Sequence, residues 1–419
     1  MPVTAVLIAR PLPIDTGLEL VPSLPDASAR ADHELELLLA LRHALVATRG
    51  YMGSEIAEVL TRMQALCEQK EESPHLVAVL RGQVTDHMMR AEFPLAHAAA
   101  EQKLRLIQGQ NDPAQLAVAH YDLGCMLYWG GTFTPAREHL EQALSLRRAH
   151  VLDPRRTDTF MVNHDVMCRA WLSWICAFLG DHDQALTYSR DSVKIAQELR
   201  HPYTLVQALA FASSFHLRRR EVQAANELLN RMLALANEEG FSYFAVTARN
   251  LQAWGLILQG HSDDGIALMR QSQAILQKMA NLGRTALTLQ IAEGYRQSGQ
   301  ANEGLAVIQE VQEMIARTGE RFYEAELYRL QGELHLIETS CQEADIARCF
   351  QKALDTARQQ RAKMFALRAA MSLCRLWQRQ GRHDVAHRLL AEVYQEFTEG
   401  FDIPDMQEAK GQLAELETG

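Results

Sequence analysis

The sequence predicts an all-α solenoid of about nine helical hairpins, stacked at a period close to 40 residues. Three observations carry this reading. The chain is rich in Ala, Leu, Gln, Glu and Arg and carries only 7% aromatic residues, a helix-forming composition poor in the residues strands prefer. A helical hydrophobic period starts at Asp32 and does not stop. A small or apolar residue also returns at Ile56, Ala96, Ala136, Ala185, Ala225, Gly265, Gly304, Ile346 and Ala386, with gaps of 40, 40, 49, 40, 40, 39, 42 and 40.

The unit is clearest between Leu116 and Leu146. A first helix carrying Leu123, Gly124 and Leu127 is broken at Gly130-Gly131, and a second begins at Thr134-Pro135 and presents Ala136, Leu140 and Ala143. Small residues at Gly124, Ala136 and Ala143 allow close approach while the leucines fill the seam. That alternation resembles the tetratricopeptide repeat (TPR), an antiparallel helix pair that stacks into a superhelix with a concave inner surface.

In chain order, residues 1–30 hold five of the twelve prolines and no helical period, so a mostly disordered tail is expected there. The repeat array is expected over 31–400 and a C-terminal capping helix over 401–419, entered at Pro404 with Asp405 in its first turn. Within the array Pro74, Pro113 and Pro202 open first helices and Pro94 and Pro135 open second helices, where a missing N–H costs nothing. Three residues after Gly131, Gly180, Gly260, Gly299 and Gly381 come Thr134, Asp183, Asp263, Asn302 and Asp384, each expected to cap a second helix. The rhythm breaks once, at the irregular loop 149–165, where nine extra residues are inserted.

Composition narrows function. The 52 acidic residues against 42 basic ones give a net charge of −10, which repels a phosphate backbone and argues against nucleic acid as a partner. No apolar run reaches the ~18 residues of a membrane span. The first charge, Arg10, follows the short N-terminal apolar patch instead of preceding it as in a signal peptide, so a cytoplasmic protein with no membrane partner is expected. Seven cysteines with no CxxC spacing read as buried thiols.

No nucleotide-binding GxxxxGK[ST], HExxH or GxSxG motif occurs, so no catalytic residue and no cofactor is assigned. His383 and His387 share a helix face, but His383 falls on a turn position equivalent to His182 and His261, and no metal site is assigned either. Arg218-Arg219-Arg220 occupies a turn where other units carry Gly, and Arg155-Arg156 lies in the long loop; both are read as solvated. The candidate binding residues are first-helix positions that the register turns toward the concave groove: Tyr121, Tyr128, Trp174, Asn250, Trp254, Glu293, Arg296, Arg329, Glu333 and Arg375. Aromatic and Arg anchors of this kind carry most of the energy of an interface. In the loop, Asn163, His164 and Asp165 are candidates.

Several segments carry a wider resemblance: ELELLLALRHALVATRGY (34–51), GDHDQALTYSRDSVKIAQELRHP (180–202), RREVQAANELLNRMLALANEEGF (219–241), TGERFYEAELYRLQGELHL (318–336), RAAMSLCRLWQRQGR (368–382) and FTEGFDIPDMQEAKGQL (397–413). From roughly Gly17 onward the chain resembles the C-terminal TPR region of large bacterial signalling proteins, in which a class III adenylate/guanylate cyclase domain precedes an AAA-like ATPase domain and then these repeats. Neither of those domains is present here, so none of their residues transfers. Relatives tend to have Gln-Asp-Pro-Gly-Val in the long loop, where this chain has Asn163-His164-Asp165-Val166. The resemblance implies a non-catalytic interaction module, an adaptor for an ATPase- or cyclase-linked signalling partner, binding a protein or peptide. A small-molecule-sensing domain is the alternative, an enzyme a more distant one, and a monomer is compatible with the stacking.

Overall fold

Nineteen α-helices among the described residues build the protein, seen in a computed structural model that describes residue 21 and residues 27–49, 51–68, 76–150, 163–338 and 341–418. The Pro74 turn, most of the expected tail and residues 151–162 of the long loop, with Arg155-Arg156, lie outside the described residues.

The helices pair as the period predicts. The first four units are α1 (Ala27–Arg49) with α2 (Ser54–Glu68), α3 (Leu76–Met89) with α4 (Phe93–Ile107), α5 (Pro113–Trp129) with α6 (Phe133–Ala149), and α7 (His164–Leu179) with α8 (His182–Leu199). Next come α9 (Pro202–Arg218) with α10 (Val222–Glu238), α11 (Ser242–Leu258) with α12 (Ser262–Leu276), and α13 (Arg284–Gln297) with α14 (Ala301–Thr318). The last two pairs are α15 (Glu324–Ile337) with α16 (Glu343–Gln359) and α17 (Lys363–Arg379) with α18 (His383–Tyr394), followed by a single closing helix, α19 (Pro404–Thr418). All nine repeat markers, from Ile56 to Ala386, fall on second helices and are buried. The seam leaves least room at the two glycines: a Cβ on Gly265 would stand 2.6 Å from Ile257 Cγ1, and one on Gly304 2.4 Å from Leu334 Cδ2.

The caps differ from expectation. Asp112 does cap α5, accepting from the N–H groups of Ala114 and Gln115 at 3.0 Å. However, Thr134, Asp183, Asp263, Asn302 and Asp384 lie inside the first turn of their helices, and no side chain caps α6, α8, α12, α14 or α18. The backbone closes these turns instead. The N–H groups of Thr132, Asp181, His261, Gln300 and Arg382 each reach five residues back, to the carbonyls of Leu127, Cys176, Leu256, Tyr295 and Trp377, at 2.9–3.0 Å. The residue before each is a left-handed glycine, which is the Schellman arrangement. Arg220 takes that left-handed position in its own unit, with φ +62°, so the Arg triplet is part of the same turn built without glycine.

First helices pack on the first helices of the next unit, as α7 does on α9 and α9 on α11, while second helices of neighbouring units make no comparable contact. The first helices therefore form the inner layer and the second helices the outer one.

The array curves until its first half meets its second. The Tyr51 N–H donates to the carbonyl of Met279 at 3.1 Å, Asn281 N–H to Met89 at 2.7 Å, and Arg321 N–H to Trp129 at 2.8 Å. In the fourth unit His182 Nε2 stands 3.2 Å from Met364 Sδ, and the Asp183 N–H donates to Glu399 at 2.9 Å. In the fifth, the Arg368 guanidinium donates to the Arg218 carbonyl at 3.1 Å. The hairpin turns of units one to five thus rest on the inter-unit junctions of units six to nine and on α19.

Candidate functional site on the inner face

The inner layer has two different walls. In units three to six it is aromatic. Trp174 of α7 stacks on Phe211 of α9 with centroids 4.3 Å apart, and its indole N–H donates to the Phe211 carbonyl at 3.0 Å. Tyr128 packs against Trp171, Trp174 and Phe178 of the next first helix, and Phe322, arriving from the opposite turn of the superhelix, covers it at 4.9 Å. Tyr128 is consequently fully buried and its phenol is pushed well above its ordinary pKa by that burial. Tyr121 is also buried, its hydroxyl 3.4 Å from the Trp171 indole N–H and its ring edge-on to His164.

At the C-terminal end of α9 the Arg218 guanidinium enters this aromatic wall. It stands 4.5 Å from the Trp174 ring, 5.5 Å from Phe178, 5.6 Å from Trp254, 5.9 Å from Phe322 and 5.1 Å from Tyr323. One Nη donates to the Tyr323 hydroxyl at 2.7 Å. A cavity of about 20 Å³, lined by Phe178, His182, Tyr323, Arg368 and Asp405 among others, adjoins Arg218; that is room for about one water.

Along units seven to nine the inner wall is charged, and its charges satisfy one another. Arg296 grips Glu293 at 2.7–2.9 Å. Arg329 pairs with Glu326 at 3.0 Å and lies 3.8 Å from Glu333, which also accepts from Arg375 at 2.8 Å and from the Ser372 hydroxyl at 2.5 Å. Arg368 bridges Glu326 at 3.5 Å and Asp405 at 2.6 Å, and Arg375 continues to Glu408 at 3.3 Å. Arg220, from the fifth unit's turn, closes the ladder on Asp405 and Glu408 at 3.3 and 3.2 Å. Burial alone would raise the carboxyls of Glu293, Glu333 and Asp405, but the guanidinium groups beside them outweigh it and hold all three below their ordinary values.

The ten groove residues thus divide. Glu293, Arg296, Arg329, Glu333 and Arg375 come together in the ladder. Tyr121, Tyr128, Trp174 and Trp254 join the aromatic wall, and Asn250 sits one helical turn before Trp254 on α11. Asn250 is 0% exposed, yet neither its Oδ1 nor its Nδ2 has a hydrogen-bond partner. Trp254 Nε1, Arg218 Nε and Gln207 Oε1 on the neighbouring α9 and α11 are unpartnered as well. Buried polar groups without partners are rare and mark strain, water or a ligand.

The loop candidates lie elsewhere. Asn163 caps α7 by accepting from the Val166 N–H at 3.1 Å, and His164 packs on Tyr121. Asp165 accepts from Arg147 at 2.8–3.0 Å and lies 3.6 Å from Arg169. They fix the start of a buried helix instead of presenting a loop. Among the described residues no group of three or more His, Cys, Asp or Glu is placed to hold a metal ion, and no described helix is long and apolar enough to cross a membrane. The register did not mark Phe211, Phe322, Tyr323 or Arg368, and it placed Arg218 in a solvated turn. Phe322 and Tyr323 come from the junction ahead of α15, outside the first-helix positions that the register marks.

No protein-family model matches the chain, and no curated protein matches it. Solved structures do. A Rap protein complexed with competence and sporulation factor is 13% identical, with a TM-score of 0.61 over 91% of this chain and 99% of that one. The Rap conjugation gene regulator of the plasmid pLS20, in complex with the Phr* peptide, is 12% identical with a TM-score of 0.53 over 92% and 96% of the two chains. At these identities the likeness is one of fold: an all-α superhelix of TPR type.

Proposed function

We propose that this chain is a non-catalytic TPR receptor that binds a peptide, or an extended segment of a protein partner, along the inner faces of α9 and α11. Asn250 carries the reading. A buried carboxamide with both its donor and its acceptor unused matches the donor and acceptor that every peptide unit offers. Trp174, Phe211 and Trp254 supply apolar wall beside it. The two similar structures are, by name, complexes with competence and sporulation factor and with the Phr* peptide, which supports this class of ligand. Coupling to an ATPase- or cyclase-linked signalling partner is the further part of the proposal, resting on the sequence resemblance.

The reading is tested by panning a random heptapeptide library on the full chain and measuring the selected peptides by calorimetry. Asn250→Ala is expected to weaken binding at least about tenfold with helicity unchanged, the scale of one or two buried hydrogen bonds. Selected peptides that bind Asn250→Ala equally well would place the site elsewhere.

A further inference from the structure

We infer that Arg218 is the anchor for a carboxylate on the bound peptide. The inference rests on the peptide reading and adds the chemistry of one end of the ligand.

Arg218 forms no ion pair with any carboxylate among the described residues, although its two neighbours do. Arg219 is held by Glu221 at 2.9 Å and Arg220 by Asp405 and Glu408. What surrounds Arg218 is aromatic, with five ring centroids within 5.9 Å. Rings stabilise the flat face of a guanidinium, but the N–H groups point out from its edge and need acceptors. Tyr323 takes one, and the Nε–H is buried and takes none. The Trp254 ring, packed 5.6 Å from the guanidinium, carries a further buried N–H without a partner, another donor. A site offering a fixed positive charge and two idle donors, in a low-dielectric aromatic wall, selects a group that is anionic and accepts only. A carboxylate is that group, and a guanidinium binds it with charge-assisted hydrogen bonds. Asn250 lies one turn before Trp254 on α11, so the carboxylate and the adjoining peptide unit meet their partners together.

The test uses two synthetic heptapeptide pools of equal diversity, passed over the immobilised full chain and quantified by mass spectrometry. One pool has free C-terminal carboxylates; the other lacks Asp and Glu and ends in amides. The carboxylate pool is expected to be retained at least about tenfold more strongly. Arg218→Gln should abolish that preference. Arg190→Gln, which removes an exposed arginine from the outer helix α8, should leave the preference intact. Preference surviving in Arg218→Gln, or lost equally in Arg190→Gln, overturns the assignment. If both pools are retained alike and both need Asn250, the carboxylate anchor is wrong while the peptide reading stands; if neither is retained, both fall.

Discussion

The N–H of Arg321 donates to the carbonyl of Trp129 at 2.8 Å, joining the hairpin turn of the third unit to the junction between the seventh and eighth. Beside it Phe322 packs against Tyr128 and Trp129, at 4.9 and 5.0 Å. Neighbouring repeats alone would leave a spring; this seam makes it a closed ring of contacts. Phe322→Ala removes a fully buried ring, a loss of about 3–5 kcal/mol, but from between superhelical turns and not within a hairpin. The expected result is a larger radius of gyration in small-angle X-ray scattering with unchanged helical circular dichroism. An unchanged radius would mean that the helix pairs alone set the curvature.

The repeat was legible because it is local. Ala136 and its counterparts, seven of the nine of them Ala or Gly, are buried where two helices of a pair cross, so they recur with the period, and Gly131 and its counterparts recur where the turn needs a left-handed residue. The seam was not legible. Phe322, His182 and Phe397 meet partners far away in sequence, at places where superhelical pitch and not local period decides the neighbours. The same reason applies to the candidate binding residues. Register turned Asn250 and Trp254 toward the groove, but nothing local shows that Tyr128 is covered by Phe322. Nor does it show that Arg218, two residues from the exposed Arg220, turns into an aromatic wall.

Glu320 lies on the junction of that seam, buried, with its carboxyl pushed up to about 8 by burial against the opposing pull of Thr285 and Arg284. It is therefore largely protonated in the folded chain at neutral pH, while the unfolded chain would ionise it near 4.5. The unfolded state then binds fewer protons, so this group lowers stability as pH rises from 4.5 to 8, by about 1.4 kcal/mol per unit of displacement at most. Glu320→Gln should raise the urea midpoint at pH 8 and leave it nearly unchanged at pH 4.5. An equal change at both values would point to packing and not ionisation.

His182 acts with the opposite sign. Burial, assisted by Arg219, pulls its pKa down from 6.5 to about 4, and its ring lies against Met364 and parallel to Phe397. The unfolded state takes up the proton first, so the contribution of this contact is intact above 6.5 and is lost as pH falls toward 4. His120 is held at about 4 chiefly by burial and contributes in the same direction. These two histidines therefore pull the melting temperature down between pH 7 and 5 against the opposite pull of Glu320, and His182→Gln should lose less melting temperature over that range than wild type does. Gly400→Ala offers a second check, since its Cβ would land on the His182 ring at a left-handed φ of +73°; it should destabilise by about 1–3 kcal/mol. A pH slope identical in wild type and His182→Gln would remove this histidine from the account.

The ladder makes a graded prediction at α19. Asp405 is buried, and Arg368 reaches it at 2.6 Å from α17 while Arg220 reaches it at 3.3 Å from across the seam. Arg220 is 47% exposed and also touches Glu408, so water screens its share, and Arg220→Gln should change stability by less than about 1 kcal/mol. Asp405→Asn instead leaves the Arg368 guanidinium with Glu326 at 3.5 Å as its one carboxylate among the described residues, beside the Arg218 carbonyl, and breaking one partner of a buried pair costs about 3–5 kcal/mol. Because α19 closes the end of the stack and carries the seam's last contacts, this loss should begin at that end. Hydrogen exchange in Asp405→Asn is expected to accelerate first in α19 and α17, then in the turn around Arg220, while α3 to α6 stay protected. Exchange accelerating evenly along the chain would show that the units melt as one body and that the closing helix holds no separate share of the stability.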